Sequence, residues 1–108
     1  GIVSNIPSLE RLQMEVEAIG LSNFFSVLIA AGAIGVAKPD TLIFETAAKA
    51  IGESPREVLF VGDDPWRDYH GALRAGMKAL LIDRRGVFKH LDGVCRISSL
   101  AHVPAMVA

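Results

Sequence analysis

The 108-residue sequence has a single cysteine, no long apolar run and no excess of either charge, and each absence excludes a class of protein. Cys95 alone cannot form a disulfide within the chain, so a disulfide-rich scaffold is excluded and a reducing cytoplasm is the expected location. A membrane-spanning helix needs about 20 consecutive apolar residues, and Gly, Pro, Asp or Lys interrupts the apolar stretches before that length. No membrane segment is predicted.

The charged residues are mixed along the chain, with 11 basic and 12 acidic side chains and a net charge of -1. A nucleic-acid-binding protein concentrates Lys and Arg in a stripe or patch, and no such stripe is present in the sequence. Nucleic acid is therefore not an expected partner. Hydrophobic residues make up 51% of the chain, which predicts extensive burial, and the length suits one domain over residues 1–108.

Apolar stretches bounded by turn residues alternate with helical patterns, which is typical of βα units and a parallel sheet. Helix caps and stops mark the boundaries: Ser8 precedes an apolar stripe that runs to Ile19, and Asp40 precedes a second helix over residues 41–51. The pattern therefore predicts an α/β fold. The predicted strands lie at residues 2–3, 26–30, 58–61 and 79–82, with a weaker one at 94–97; further helical segments are predicted at 69–75 and from Ser99.

Polar residues that follow the predicted strands are candidate site residues, because ligands bind beyond the carboxyl ends of strands in open parallel sheets. Ser4 and Asn5 follow the first strand, and their hydroxyl and amide groups can donate hydrogen bonds to a phosphoryl oxygen. Lys38 lies just before a helix, where a flexible ammonium and free backbone N–H groups suit an anion. These residues predict a phosphate site, although each taken alone is as well interpreted as a turn cap or a solvated charge.

Three carboxylates follow the third predicted strand in one loop: Asp63, Asp64 and Asp68. Hard oxygen ligands grouped in this way suit Mg²⁺. Carboxylates at the start of a helix are also favourable without any metal, so capping by Asp63 or Asp64 is the alternative interpretation. The presence of Asp68 in the same loop favours the metal site.

Three segments in order resemble motifs II, III and IV of the haloacid dehalogenase-like (HAD) hydrolases: residues 2–5 (IVSN), 35–40 (GVAKPD) and 61–64 (VGDD) with Asp68. Their spacing matches that family, and the resemblance covers nearly the whole chain. Each motif is weak by itself, but three in order on a matching βα pattern are specific. The resemblance implies a Rossmann-like HAD core fragment of about four parallel strands with flanking helices.

The same resemblance implies the roles of the candidate residues. Ser4 would bind the transferring phosphoryl group, with Asn5 as a secondary contact, and Lys38 would neutralise the phosphate and hold the nucleophile. Asp63 would ligate Mg²⁺, supported by the other two carboxylates of its loop, Asp68 and Asp64.

The first motif of the family does not occur in this sequence. In the family, that Asp-x-Asp-x-Thr/Val loop supplies the nucleophile and the general acid and base. In the usual strand order, its strand lies at the centre of the sheet, between the strands that end at Ser4 and Val61. The central nucleophile strand is therefore missing from this chain.

The resemblance implies part of a Mg²⁺-dependent phosphohydrolase that acts on a small phosphorylated metabolite and is inactive by itself. The carboxylate loop favours a phosphatase over a dehalogenase. The alternative is a non-catalytic, self-associating module with inherited metal and phosphate residues. A signalling receiver domain shares paired acids and a Lys-Pro dipeptide, but its acids follow the first strand and its lysine the last, which is the reverse of the order here.

Loss of a central strand leaves unpaired backbone edges and apolar faces in the sheet. We therefore expect a homodimer or a higher oligomer, and exchange of a strand or helix between copies is one way to form it. The monomeric alternative is a closed-up sheet, in which the strands before Ser4 and Gly62 pair directly.

Overall fold

The computed structural model describes residues 1–107, without the side chain of Val107, and contains two parallel sheets flanked by helices. In the first sheet, β1 (Ile2–Ser4) pairs with β2 (Leu28–Ala30). In the second, β4 (Lys78–Ile82) lies between β3 (Leu59–Gly62) and β5 (Arg96–Ile97). The α/β fold, the four predicted strands and the weaker fifth strand are confirmed.

The helices are short, and none among the described residues is long and apolar enough to cross a membrane. The helix predicted over residues 69–75 is present as α4, and its first two residues belong to a wider π-helical segment that precedes α4. The single turn of α2 was not predicted. The α-helices are α1 (Leu9–Ala18), α2 (Ala31–Ile34), α3 (Thr41–Ala50), α4 (Gly71–Arg74) and α5 (Val103–Val107); the π-helical segment is Pro65–His70, and 3-10 turns lie at Ser22–Phe24, Pro55–Glu57 and Leu100–His102.

Both predicted helix caps are present. The Ser8 hydroxyl accepts a hydrogen bond from the backbone N–H of Arg11 at 3.1 Å, and the Asp40 carboxylate accepts one from the N–H of Leu42 at 2.9 Å. A cap of this kind satisfies an N–H group that has no partner within the helix. The apolar stripe of α1 ends earlier than predicted, because Ile19 lies beyond the helix and is 67% exposed.

The main core joins the two sheets through α3. Ile43 and Phe44 of α3 are fully buried, as is Leu81 of β4, and Val3 of β1 packs against the same cluster. Burying one large apolar side chain contributes about 1.5–3 kcal/mol relative to leaving it exposed. The Phe44 ring also meets that of Phe60 edge-to-face, with 5.0 Å between the ring centroids. The helix thus holds the sheets together although their strands do not pair.

The sheets are separated at the position where the resemblance places the missing strand. Among the described residues, β1 and β3 do not pair with each other, and each has one strand neighbour only. A cleft of about 550 Å³ lies between them, lined by Ile2 and Val3 on one side and by β3 on the other. Lys38 also lines it, and we call it the Lys38 cleft. The closed-up sheet is not formed in this part of the chain.

Candidate functional site

The Lys38 cleft contains a buried ion pair. The Lys38 ammonium donates a hydrogen bond to Oδ1 of Asp68 at 2.6 Å, and their side chains are 13% and 6% exposed. The Lys38 ammonium also lies 5.6 Å from the centre of the Phe60 ring, within range of a cation–π contact. Burial of either charge without the other would cost free energy. Each side chain is therefore held in place by its partner.

The second carboxylate oxygen of Asp68 is held by the backbone. It accepts a hydrogen bond from the N–H of Asp64 at 3.1 Å. Gly62, the last residue of β3, makes this position possible, because a Cβ atom at residue 62 would overlap the Asp68 carboxylate. The glycine of the GDD segment therefore has a steric reason that is independent of any ligand.

The backbone of Lys38 is clamped by Asn5. The Asn5 amide oxygen accepts from the N–H of Lys38 at 2.9 Å, and the amide nitrogen donates to the Lys38 carbonyl at 3.2 Å. The two residues are 33 positions apart, so this contact ties the end of β1 to the segment before α3. The Lys38–Pro39 peptide bond is cis. The phosphate contact of Asn5 stays a prediction, and the structure adds a positioning contact to it.

The other predicted residues differ in how their side chains are used. Asp64 caps the π-helical segment, because its Oδ1 accepts from the N–H groups of Trp66 at 2.9 Å and Arg67 at 2.7 Å. The capping alternative is thus realised at Asp64. Ser4 ends β1 directly after Val3 and is half-buried, but it is not among the described residues that line the cleft.

Asp63 and Asp68 both line the Lys38 cleft. Among residues 1–107, no hydrogen bond or ion pair engages the Asp63 side chain, so its carboxylate can ligate a cation. Within the same range, no three His, Cys, Asp or Glu side chains converge as a complete set of metal ligands. Carboxylate oxygens are nonetheless the ligands that Mg²⁺ prefers, and Mg²⁺ retains several waters in protein sites. The residues therefore fit part of a Mg²⁺ shell.

One residue that lines the Lys38 cleft, Arg84, was not predicted, and neither was its neighbour Asp83. Asp83 and Arg84 follow β4 directly, and Arg84 lines the Lys38 cleft. The Asp83 carboxylate is buried and accepts hydrogen bonds from the N–H groups of Val87 and Phe88, each at 3.0 Å. The sequence could have indicated both residues. Ser4 and Asp63 were selected because they follow predicted strands, and the residues after Ile82 also follow one.

This arrangement can hold an anion at the carboxyl ends of the strands. Lys38 supplies a positioned cation, Arg84 supplies a second one, and Asp63 adds a carboxylate that can share a divalent ion with the anion. Asp68 and Asp64 are each engaged, by Lys38 and by a helix start respectively. The two cations that line the cleft suit phosphate binding.

Comparison with known proteins shows the family of the chain. Residues 35–107 match the model of the HAD-hydrolase-like family. The chain is 36% identical over 83 residues to a phosphoserine phosphatase of Thermus thermophilus, covering 77% of this chain and 32% of that protein. It is 39% identical over 74 residues to a glyceraldehyde 3-phosphate phosphatase of Methanopyrus kandleri, covering 68% of this chain and 31% of the relative.

A solved structure has the same fold over most of the chain. The 2-haloacid dehalogenase of Pseudomonas syringae superposes with a TM-score of 0.79 at 29% identity, covering 85% of this chain and 41% of that structure. The chain spans about a third of the length of the two curated relatives above, 32% and 31%. The matched family and the identity to these relatives show that the chain belongs to the haloacid dehalogenase-like hydrolases.

Proposed function

We propose that these residues form the phosphate- and metal-binding part of a Mg²⁺-dependent HAD phosphatase that acts on a small phosphorylated metabolite. The observation that carries the proposal is the Lys38 cleft, where the buried Lys38–Asp68 pair and Asp63 lie beside two unpaired strand edges. The chain forms one partial core domain, and the attacking carboxylate comes from residues outside these 108. The single cysteine, which cannot form a disulfide within the chain, supports a reducing cytoplasm as the location.

The proposed roles of Lys38, Asp68 and Asn5 rest on their contacts, and those of Ser4 and Asp63 rest on the family resemblance. Lys38 neutralises the phosphoryl charge, and Asp68 and Asn5 hold its ammonium and its backbone in place. Ser4 donates a hydrogen bond to a phosphoryl oxygen, and Asp63 ligates Mg²⁺. When bound, the metal ion supplies further neutralisation of the charge on the transferring group.

The substrate class follows from the charge of the cleft and from the relatives. Lys38 and Arg84 both line the cleft and favour a ligand with more than one negative charge. The relatives named above include a phosphoserine phosphatase and a glyceraldehyde 3-phosphate phosphatase, whose names indicate small phosphorylated compounds. The fold is shared with a haloacid dehalogenase, but the carboxylate at Asp63 supports the metal-dependent phosphatase.

A binding experiment on the 108-residue chain tests the phosphate site. Inorganic phosphate is titrated and followed by NMR, with and without Mg²⁺, for the parent and for Lys38→Met. The variant should lose most of the phosphate affinity, whereas Lys49→Met, an exposed lysine on α3, should keep it. Because Lys38→Met leaves a buried carboxylate unpaired, the double variant Lys38→Met/Asp68→Asn is measured in parallel. Unchanged phosphate affinity in a folded variant would contradict the proposal.

A turnover assay tests the absence of the nucleophile. The isolated chain should not hydrolyse p-nitrophenyl phosphate appreciably, because positioning and electrostatics without an attacking group supply only a small part of the rate enhancement. Activity that persists through purification and disappears in Lys38→Ala would show that the chain carries its own nucleophile. The outcome separates a fragment of an enzyme from a complete one.

The second candidate is a non-catalytic, self-associating module. The facing edges of β1 and β3 favour it, since unpaired edges recruit strands from other copies. Large exposed apolar side chains in and after α1 also favour self-association: Met14 is 62%, Ile19 67% and Phe24 76% exposed. Light scattering at micromolar concentration tests self-association, because a monodisperse mass near 11.6 kDa would exclude a homo-oligomer.

A further inference from the structure

A second cleft lies at the carboxyl ends of β4 and β5, and it is strongly basic. Its volume is about 430 Å³. We call it the basic cleft; its charged lining residues are Asp83, Arg84, Arg85, Lys89 and Arg96, and Ser98 and His102 also line it. Four basic side chains thus face one carboxylate. None of these residues belongs to the motifs that the sequence predicted as a site.

The single carboxylate does little to neutralise the basic cleft. The Asp83 side chain is 1% exposed and also accepts a hydrogen bond from Nη1 of Arg96 at 3.1 Å. Its other bonds go to the backbone N–H groups of Val87 and Phe88. Asp83 therefore orders the loop after β4 and orients Arg96, whereas no ion pair to Arg84, Arg85 or Lys89 is present among the described residues. The positive charges of these three side chains are therefore available to bind an anionic ligand.

The loop also directs Lys89 back toward the basic cleft. Gly86 has a φ of +70°, a conformation that L residues rarely adopt, and Cε of Lys89 lies 2.7 Å from where a Cβ atom would be. A side chain at residue 86 would displace the lysine. The glycine therefore lets the stem of Lys89 fold over the loop, so that its charge adds to that of the arginines.

Arg84 connects the two clefts. It lines the Lys38 cleft and the basic cleft, and a smaller depression between them is lined by Asp63, Arg84 and Arg85. A ligand whose phosphoryl group lies at Lys38 can therefore extend past Arg84 toward the second set of cations. We propose that the basic cleft binds a second anionic group, a carboxylate or a phosphate, of the phosphorylated ligand. This inference rests on the proposed phosphate site at Lys38 and narrows its substrate class.

Matched ligands test the proposal on the 108-residue chain. Glycerol 3-phosphate carries one anionic group, whereas 3-phosphoglycerate carries a carboxylate in addition, and propane-1,3-diol bisphosphate carries a second phosphate. The parent should bind one of the two doubly anionic ligands more tightly than glycerol 3-phosphate, and the tighter one identifies the second group. Added salt should weaken this preference, because the cations are solvent-exposed.

The variant Arg85→Gln/Lys89→Gln removes two cations that line the basic cleft but not the Lys38 cleft. It should reduce affinity for the preferred ligand about tenfold and leave affinity for glycerol 3-phosphate unchanged. The control Lys49→Gln/Arg74→Gln removes two exposed cations elsewhere and should change neither. Equal weakening of all three ligands in the first variant, or no preference in the parent, would overturn the proposal.

The variant Lys38→Met/Asp68→Asn separates this inference from the proposed function. Equal loss of affinity for glycerol 3-phosphate and for the preferred ligand supports the phosphate site at Lys38. Unchanged affinity for both ligands would contradict the phosphate site at Lys38 but not the basic cleft. In either case, the preference that depends on Arg85 and Lys89 is measured independently.

Discussion

The two clefts carry buried carboxylates that are neutralised in different ways. Asp68 is paired with one lysine and one backbone N–H group. Asp83 is held by two backbone N–H groups and one arginine, and further cations remain around it. The first arrangement balances its charges and fixes one ammonium, whereas the second leaves an excess of positive charge. Substitutions in the first cleft should therefore affect stability most, and those at the rim of the second should affect ligand binding.

The largest expected effect on stability is that of Asp68→Ala, because it leaves the Lys38 ammonium buried without a partner. We expect the free energy of unfolding to fall by about 3–5 kcal/mol, measured by urea denaturation. The control is Glu15→Ala, which removes an exposed partner of Arg11 at 3.5 Å, and its loss should stay below about 0.5 kcal/mol. Similar losses in both variants would show that burial of the Lys38–Asp68 pair is unimportant.

Asp83→Ala should have the next largest effect. The change removes the acceptor for two backbone N–H groups and for Arg96, and hydrogen bonds to charged groups contribute about 1.5–3 kcal/mol each. We expect a loss of about 2–3 kcal/mol, because water can replace part of these contacts. Asp92→Ala in a neighbouring exposed turn is the control. If Asp83 only repelled anions, its removal would strengthen ligand binding without a loss of stability.

Gly62→Ala should destabilise the fold by displacing the carboxylate that follows it. The added methyl group would overlap the Asp68 side chain, and overpacking of this kind costs about 1–3 kcal/mol. The variant should also lose phosphate affinity, because Lys38 loses its positioned partner. Urea denaturation and phosphate titration measure the two effects. A stable variant with parental phosphate affinity would contradict the steric role of this glycine.

Asn5→Ala should have a smaller effect on stability and a clear one on binding. It removes two hydrogen bonds to the backbone of Lys38, and we expect a loss of about 1 kcal/mol because the site is exposed. Phosphate affinity should fall as the lysine loses its fixed position. Asn23→Ala, in an exposed 3-10 turn, is the control for a surface asparagine. Asn5→Asp, which keeps the acceptor for the Lys38 N–H, should recover part of the stability.

The smallest expected effect is that of Mg²⁺. Asp63 and Asp68 offer only part of an octahedral shell, so binding should be weak, with a dissociation constant on the order of 1 mM. Titration calorimetry of the parent and of Asp63→Asn measures it. An absence of heat in the parent, with Asp63→Asn indistinguishable from it, would falsify the magnesium site.

The elements were predictable where their causes are local. Ser8 and Asp40 cap helices through contacts with residues three and two positions away, so the pattern around each residue was sufficient. The strands were likewise predicted within a few residues of their observed ends. The π-helical segment at Pro65–His70, in which Asp68 and Tyr69 are buried, was not predicted as such.

Only part of the residues that line the cleft was predictable, and their contacts were not. Lys38, Asp63 and Asp68 were selected because they follow predicted strands or precede a helix, and all three line one cleft. That Asp68 pairs with Lys38, 30 positions away, could not be inferred from either segment alone. The basic cleft was overlooked for a related reason, since its residues come from a loop and from β5, and become one surface only when the strands lie side by side.

By itself, the sequence determined the alternation of strands and helices, the caps, the family motifs and the absence of a nucleophile loop. These features depend on periodicity, on chemistry within a few residues, or on short motifs in order. Only the tertiary structure decided that the sheets stay apart, that Asn5 clamps the backbone of Lys38, and that Arg84 connects two clefts. Those outcomes depend on packing, which brings together residues that are far apart in the sequence. Hydrogen bonds form only when two such groups come within about 3 Å of each other, so neither segment alone predicts them.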